Sequence, residues 1–220
     1  MTLLREGLSE RLALVVITDP ECGAGRDLVD VVRSALRGGA PSIQLRAKRE
    51  PTREMVELGR RLRAETKAAG ALLFVNDRVD VALVIGADGA HLGDDDLPLD
   101  AARAISPPGF LLGRSVDTPD EARLAARQGA DYVGAGPVLA TPSKLDAAPA
   151  IGLDGIREIC EATSLPVVAI GGVDAENAAE IARAGAAGIA VIRAVMLAPH
   201  PEDAARELVG AVRKGRSGAS

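Results

Sequence analysis

A chain of 220 residues, 47% of them hydrophobic, can bury a sizeable core in one globular domain. The formal net charge of −5 and the lack of a Lys/Arg-rich run argue against nucleic acid as a partner. Aromatic residues make up 1%, so the core must be built from Ala, Val, Leu and Ile, which favours layered α/β packing over an aromatic-rich β-sandwich.

Short apolar runs alternate with longer segments of helical period, eight times over. Leu12–Ile17 (LALVVI) reads as a buried strand, and Asp27–Arg37 follows with Leu28, Val31, Val32, Ala35 and Leu36 at helical spacing. Strand Ser42–Leu45 leads to a long amphipathic helix over Pro51–Ala69, with proline in its first turn and Gly70 past its end. Strand Leu72–Val75 precedes a short helix over Val79–Ile85; strand Gly89–Leu92 precedes another over Leu99–Ile105. Strand Phe110–Gly113 is followed by helix Pro119–Gln128, and strand Asp131–Gly134 by helix Leu153–Ala162. Strand Pro166–Ile170 is followed by helix Ala175–Ala184, strand Gly188–Ile192 by a last helix within Pro201–Lys214. Four αβ turns carry the same punctuation: Gly39-Ala40, Gly86-Ala87, Gly129-Ala130 and Gly185-Ala186.

Eight β-then-α units in series predict a parallel sheet, and eight close a single-domain α/β barrel, the (β/α)8 or TIM architecture. An open doubly wound sheet is disfavoured because no GxGxxG follows the first strand. The domain is expected to span 1–220, with 1–10 as an N-terminal extension and 215–220 as a frayed tail. Charges run through the first residues, leaving no signal-peptide core, and no apolar run reaches the roughly 18 residues of a membrane span. The expected setting is the cytoplasm, with no membrane and no nucleic acid as partner. The oligomeric state is left open, a homo-oligomer included. Cys22 and Cys160 lie far apart without CxxC spacing, suggesting neither a disulfide framework nor a zinc site.

Active sites of such barrels lie at the C-terminal ends of the strands. The strands deliver there, in order, Thr18-Asp19; Gln44, Arg46 and Lys48; Asn76-Asp77-Arg78; His91 with Asp94-Asp95-Asp96; Arg114-Ser115; the loop Thr141–Lys144; Gly171-Gly172; and Ile192-Arg193. The opposite rim receives the Gly-Ala turns and little chemistry. In the stretch DYVGAGPVLATPSKLD, a strand breaks at glycines and hands over to Thr141, Ser143 and Lys144, which offers hydroxyls and an ammonium to an anion. Two cations at one strand end, Arg46 and Lys48, call for an anion or for carboxylates. Gly171-Gly172 and the end of strand eight stand where these barrels commonly hold phosphate. Basic groups plus carboxylates suit a phosphorylated substrate with Mg²⁺, with Asp77 and Asp96 as the natural pair of ligands. Plainer readings exist: Asp77 as a helix cap, Asp94 and Asp95 as a solvated turn, His91 as a packed strand residue.

Taken together, the motifs Gln44-Leu45-Arg46-x-Lys48, Asn76-Asp77-Arg78, Ala87-Asp88-Gly89-x-His91-Leu92-Gly93, Asp96-Leu97-Pro98, Gly113-x-Ser115, Gly134-x-Gly136-Pro137, Thr141-Pro142-x-Lys144 and Ala169-Ile170-Gly171-Gly172 resemble the thiamine-phosphate synthase family. The resemblance runs from Val16 to Met196. It implies a transferase that joins hydroxymethylpyrimidine diphosphate to thiazole phosphate, giving thiamine phosphate and pyrophosphate. The diphosphate leaves first, and the thiazole nitrogen captures the pyrimidine methyl cation. It further implies that Asp77 and Asp96 hold Mg²⁺, and that Arg46, Lys48 and Lys144 bind the diphosphate with help from Asn76 and Ser115. Gln44 would then contact the pyrimidine, and Thr141, Ser143, Gly172 and the Ile192-Arg193 backbone the thiazole phosphate. Two alternatives are a thiazole tautomerase-like paralogue, which relies on a histidine where this chain has Asp117, and a non-catalytic binder of phosphate ligands.

Overall fold

The eight apolar runs form eight parallel strands: β1 (Leu14–Ile17), β2 (Ser42–Leu45), β3 (Leu72–Asn76), β4 (Gly89–Leu92), β5 (Leu111–Val116), β6 (Tyr132–Ala135), β7 (Val167–Ile170) and β8 (Gly188–Val191). They pair in sequence order, and β8 returns to β1, closing the barrel. This is a computed structural model that describes residues 7–22, 25–140 and 149–218. The crossovers are α2 (Leu28–Arg37), α3 (Thr52–Ala69), α4 (Val79–Ile85), α5 (Leu99–Ile105), α6 (Pro119–Arg127), α7 (Gly152–Ala162) and α8 (Ala178–Arg183). The short α9 (Arg193–Met196) and the long α10 (Pro201–Ser217) follow β8.

Strand parity separates two cores. Outward residues such as Leu14, Val16, Ile43, Leu45, Leu73, Val75, Ala90, Leu92, Val133, Ala169 and Ile189 pack under the helices. Inward residues Val15, Ile17, Leu72, Phe74, Leu111, Tyr132, Val168 and Ala190 fill the barrel. Small helix-facing side chains let the layers approach, which is how a core with almost no aromatic residues still excludes water. The αβ turns share one geometry. Gly39, Gly86 and Gly129 have positive φ, and the next residue's N–H reaches back five residues to Ala35, Ala82 and Ala125, so the helix ends in a Schellman turn that only glycine enters without strain.

Several boundaries differ from the sequence expectation. β5 continues through Gly113 to Val116, paired with β6 as far as Val116 and Ala135, and its glycine leaves room for the neighbouring rings of His91 and Tyr132. Helix α8 starts at Ala178 rather than Ala175, after a turn in which the Asp174 carboxylate accepts from the Glu176 and Asn177 N–H groups. Arg193 opens a helical turn instead of ending the eighth strand, and α10 runs to Ser217, with Gly215 close-packed against the Ala179 carbonyl. A short helix, α1 (Leu8–Arg11), precedes β1. Its Leu8, together with Leu12, belongs to the inner core and plugs the N-terminal end of the barrel.

Candidate active site

The carboxylates sit at the ends of β3 and β4. Asp77 has φ 65°, a left-handed conformation that is uncommon outside glycine, and the Arg78 N–H bonds the Asn76 carbonyl at 2.7 Å, so the chain turns within three residues. The Asp77 N–H is held by the His91 carbonyl at 2.8 Å. Helix α4 has Arg78 at its N-cap and no side-chain cap bond; the left-handed turn therefore aims Asp77 at the rim instead of capping the helix. Across from it, the Asp96 carboxylate accepts the Gly93 N–H at 2.7 Å. Arg114, on β5, donates to the Gly93 carbonyl and to Asp94 at 2.5 Å, fixing that turn from the other side. Burial first, then the Asp96 contact, push the Asp77 carboxyl up to about 6, against the opposing pull of Lys48 and Arg46. Among the described residues no group of three or more His, Cys, Asp or Glu is gathered around a metal position. Two facing carboxylates that resist sharing negative charge are the kind of partial ligand set that Mg²⁺ takes together with phosphate oxygens.

Arg46 lies at the end of β2, its guanidinium 3.0 Å from the Asp19 carboxylate. The buried Thr18 hydroxyl accepts the Arg46 N–H at 3.1 Å, which fixes the backbone beneath that pair. Lys48 is exposed beside it, within electrostatic reach of Asp77.

Deeper in the barrel lies a polar layer. Asn76, His91, Gly113 and Tyr132 are in register across β3 to β6. Since β5 offers only glycine at this level, His91 reaches past it, with its Nδ1 3.1 Å from the Tyr132 hydroxyl and its Nε2 3.1 Å from Ser115 Oγ. Gln44, 4% exposed, acts on the same tyrosine as an amide donor. Burial pulls His91 down to about 4 and raises Tyr132 well above the usual phenol range, so both are neutral near pH 7.

On the far side, Gly171 and Gly172 both have positive φ and press against Pro137 and Leu139, and Asn177 Nδ2 donates to the Gly172 carbonyl at 2.9 Å. Ile192 caps α9, and Arg193 is exposed. Thr141, Ser143 and Lys144 lie outside the described residues. At the same mouth, the strand ends bring Gln44, Arg46, Lys48, Asn76, Asp77, Asp96, Ser115, Gly172, Ile192 and Arg193. Three residues tie the site together beyond the expected roles: Asp19 and Arg114, which the sequence places at this rim without a role, and Tyr132, which it does not place in the site. The alternation of β6 was the available signal for Tyr132, since it sets Tyr132 and Val133 on opposite faces. Cys22 and Cys160 are free thiols.

A family model described as thiamine monophosphate synthase matches residues 14–195. The chain is 53% identical over 200 residues to a thiamine-phosphate synthase of Roseiflexus castenholzii, covering 91% of this chain and 88% of the relative. It is 49% identical to the thiamine-phosphate synthase of Moorella thermoacetica, with 92% and 97% covered. A solved thiamine phosphate pyrophosphorylase from Pyrococcus furiosus superposes with a TM-score of 0.88 at 47% identity, covering 94% of this chain and 98% of that one.

Proposed function

We propose a division of labour at the barrel mouth from one premise: the chain belongs to the thiamine monophosphate synthase family. It is a transferase that forms thiamine phosphate. The substrates in this reading are hydroxymethylpyrimidine diphosphate and thiazole phosphate. The bond from the pyrimidine methylene to the diphosphate oxygen breaks, and its electron pair leaves with the diphosphate. The ring nitrogen of the thiazole then donates its lone pair to the methylene carbon. No general base is required, which agrees with a rim whose histidine is held neutral and hydrogen-bonded on both nitrogens.

Arg46, Lys48 and Lys144 take up the negative charge that grows on the leaving group, with Asn76 and the Ser115 hydroxyl as neutral donors. Asp19 keeps the Arg46 guanidinium aimed. Gln44 faces the pyrimidine. Thr141, Ser143, Gly172 and the Ile192-Arg193 backbone receive the thiazole phosphate. Asp77 and Asp96 would hold Mg²⁺, which, when bound, neutralises diphosphate oxygens. The observation that carries this reading is the Asp77–Asp96 pair facing the Arg46 and Lys48 cations. It is tested by assaying thiamine phosphate from the two substrates, with Mg²⁺ and with a chelator, through oxidation to fluorescent thiochrome. Product that depends on Mg²⁺ is expected. Equal product in chelator would overturn the metal assignment. Binding of thiazole phosphate without any product would point to a tautomerase-like or purely binding role.

A further inference from the structure

The polar layer beneath the mouth is built at some cost. Gly113 and Gly134 lie inside strands, where glycine weakens the sheet. A Cβ on Gly113 would overlap the Tyr132 ring and come within 2.5 Å of His91 Nδ1, and one on Gly134 would come within 2.8 Å of His91 Cε1. Both glycines therefore open the slot in which the His91 and Tyr132 rings meet, centroids 5.5 Å apart. In that slot the Tyr132 hydroxyl, His91 and Ser115 form one unbranched hydrogen-bonded series, and the Gln44 amide acts on its tyrosine end. Gln44 and Ser115, at either end, are the two groups assigned above to opposite halves of one substrate.

A neutral imidazole has one donor and one acceptor nitrogen, and a phenol has one proton to give. The series therefore has two self-consistent polarities. In the first, Tyr132 donates to His91 Nδ1 and His91 Nε2–H donates to Ser115, so the serine proton points outward. The Gln44 amide then gives an N–H to Tyr132 and turns its carbonyl to the mouth. In the second, every bond is reversed, and Ser115 spends its proton on His91 and shows only lone pairs. An anion at Ser115 is served by the first polarity and repelled by the second.

We propose that Tyr132 and His91 are positioning residues that couple recognition of the diphosphate at Ser115 to the orientation of the Gln44 amide, so that the pyrimidine meets a carbonyl acceptor only when the anion is in place. This rests on the reading of Ser115 and Gln44 given above. The chemistry selected at Gln44 is a hydrogen-bond donor on the heterocycle, such as an amino group, and a ring bearing only acceptors there is rejected.

The test is the ¹⁵N spectrum of the His91 imidazole near pH 7, with Mg²⁺ and pyrophosphate as the probe. His200→Gln removes the second of two histidines, at an exposed helix cap that takes no part in the series. The Nε2–H tautomer is expected with pyrophosphate bound; an Nδ1–H tautomer overturns the proposal. Tyr132→Phe is expected to give a tautomer mixture. It should also lower kcat roughly tenfold, less than the 10²–10³ of a lost anion donor, without changing the thiazole KM. An unaltered tautomer in that variant overturns the proposal as well. The wild-type spectrum decides the matter even if Tyr132→Phe fails to fold. Ser115→Ala separates the two levels: wild-type turnover there removes Ser115 from the diphosphate, while the tautomer still judges the relay itself.

Discussion

The Arg46 guanidinium is bound to the Asp19 carboxylate at 3.0 Å, across neighbouring strand ends, with both side chains largely withdrawn from solvent. This pair answers why two cations can stand together at the end of β2 before any substrate arrives. Removing Asp19 has opposing effects: it raises the positive potential, and it frees a long side chain from its aimed position. Positioning dominates, because a displacement of about 1 Å costs on the order of 10²-fold in rate. Asp19→Ala is expected to lower kcat/KM for the pyrimidine diphosphate by roughly tenfold or more, with little change in melting temperature. Steady-state kinetics with each substrate varied checks this.

Asp77→Asn is expected to retain the fold and lose about 10²–10³ in turnover. Asparagine tolerates the left-handed φ of 65° nearly as well as aspartate, so the turn survives. Without Mg²⁺ the variant should be the more stable protein, because the pair no longer confines two carboxylates. A relief of about 1 kcal/mol, discounted for partial exposure, corresponds to roughly 2–4 °C. Melting in chelator, beside the activity assay, separates the two effects.

The acid limb of stability reports on two groups shifted in opposite directions. His91 lies at about 4 in the fold against an ordinary 6.5, so the unfolded chain takes up that proton first and stability falls as pH drops from 6.5 toward 4. Asp77 lies at about 6 against an ordinary 3.8, so in metal-free protein its contribution rises as pH drops through the same window. The two largely offset each other. Asp77→Asn removes one side of the balance, and its metal-free unfolding free energy should fall more steeply with acid than that of the wild type. Urea titrations at several pH values measure the slopes.

Arg114 touches neither proposed substrate group, yet it grips the turn that presents Asp96 through the Gly93 carbonyl and Asp94. Arg114→Met should weaken apparent Mg²⁺ affinity about 10- to 100-fold, as loss of a supporting contact behind a ligand typically does. Saturating Mg²⁺ should restore most of kcat. A Mg²⁺ titration that matches wild type would show that the turn holds without it.

Gly113→Ala forces a Cβ against two aromatic rings in the barrel interior. Overpacking of this kind costs about 1–3 kcal/mol. The expected result is a melting temperature lowered by roughly 5 °C, which calorimetry checks.

The contrast between Gly113 and Gly39 shows where sequence reading works and where it stops. Gly39 follows a helical run and precedes an apolar one, and its meaning is local: a helix ends there. Gly113 has the same residue type, but its reason lies on β4 and β6, in the side chains of His91 and Tyr132. Read locally it marks the end of a strand, whereas β5 runs three residues further, to Val116. The site divides the same way. Strand-end chemistry placed Gln44, Arg46, Asn76, Asp77, Asp96 and Ser115 at one mouth, because parity and strand order suffice for that. The ion pair of Asp19 with Arg46 and the clamp of Arg114 on Gly93 depend on side-chain reach between neighbouring strands, which periodicity does not encode.

Tyr132 is the chain's single tyrosine, and the sequence has no tryptophan. The phenol wedged between Gln44 and His91 is thus the dominant near-ultraviolet chromophore of the whole protein. Its absorption and emission report one place, the floor of the barrel mouth, with no label and only two weakly absorbing phenylalanines beside it. An optical melting curve of this protein traces the loss of its reaction chamber, and comparison with a helix-based curve tells whether that chamber opens before the barrel around it.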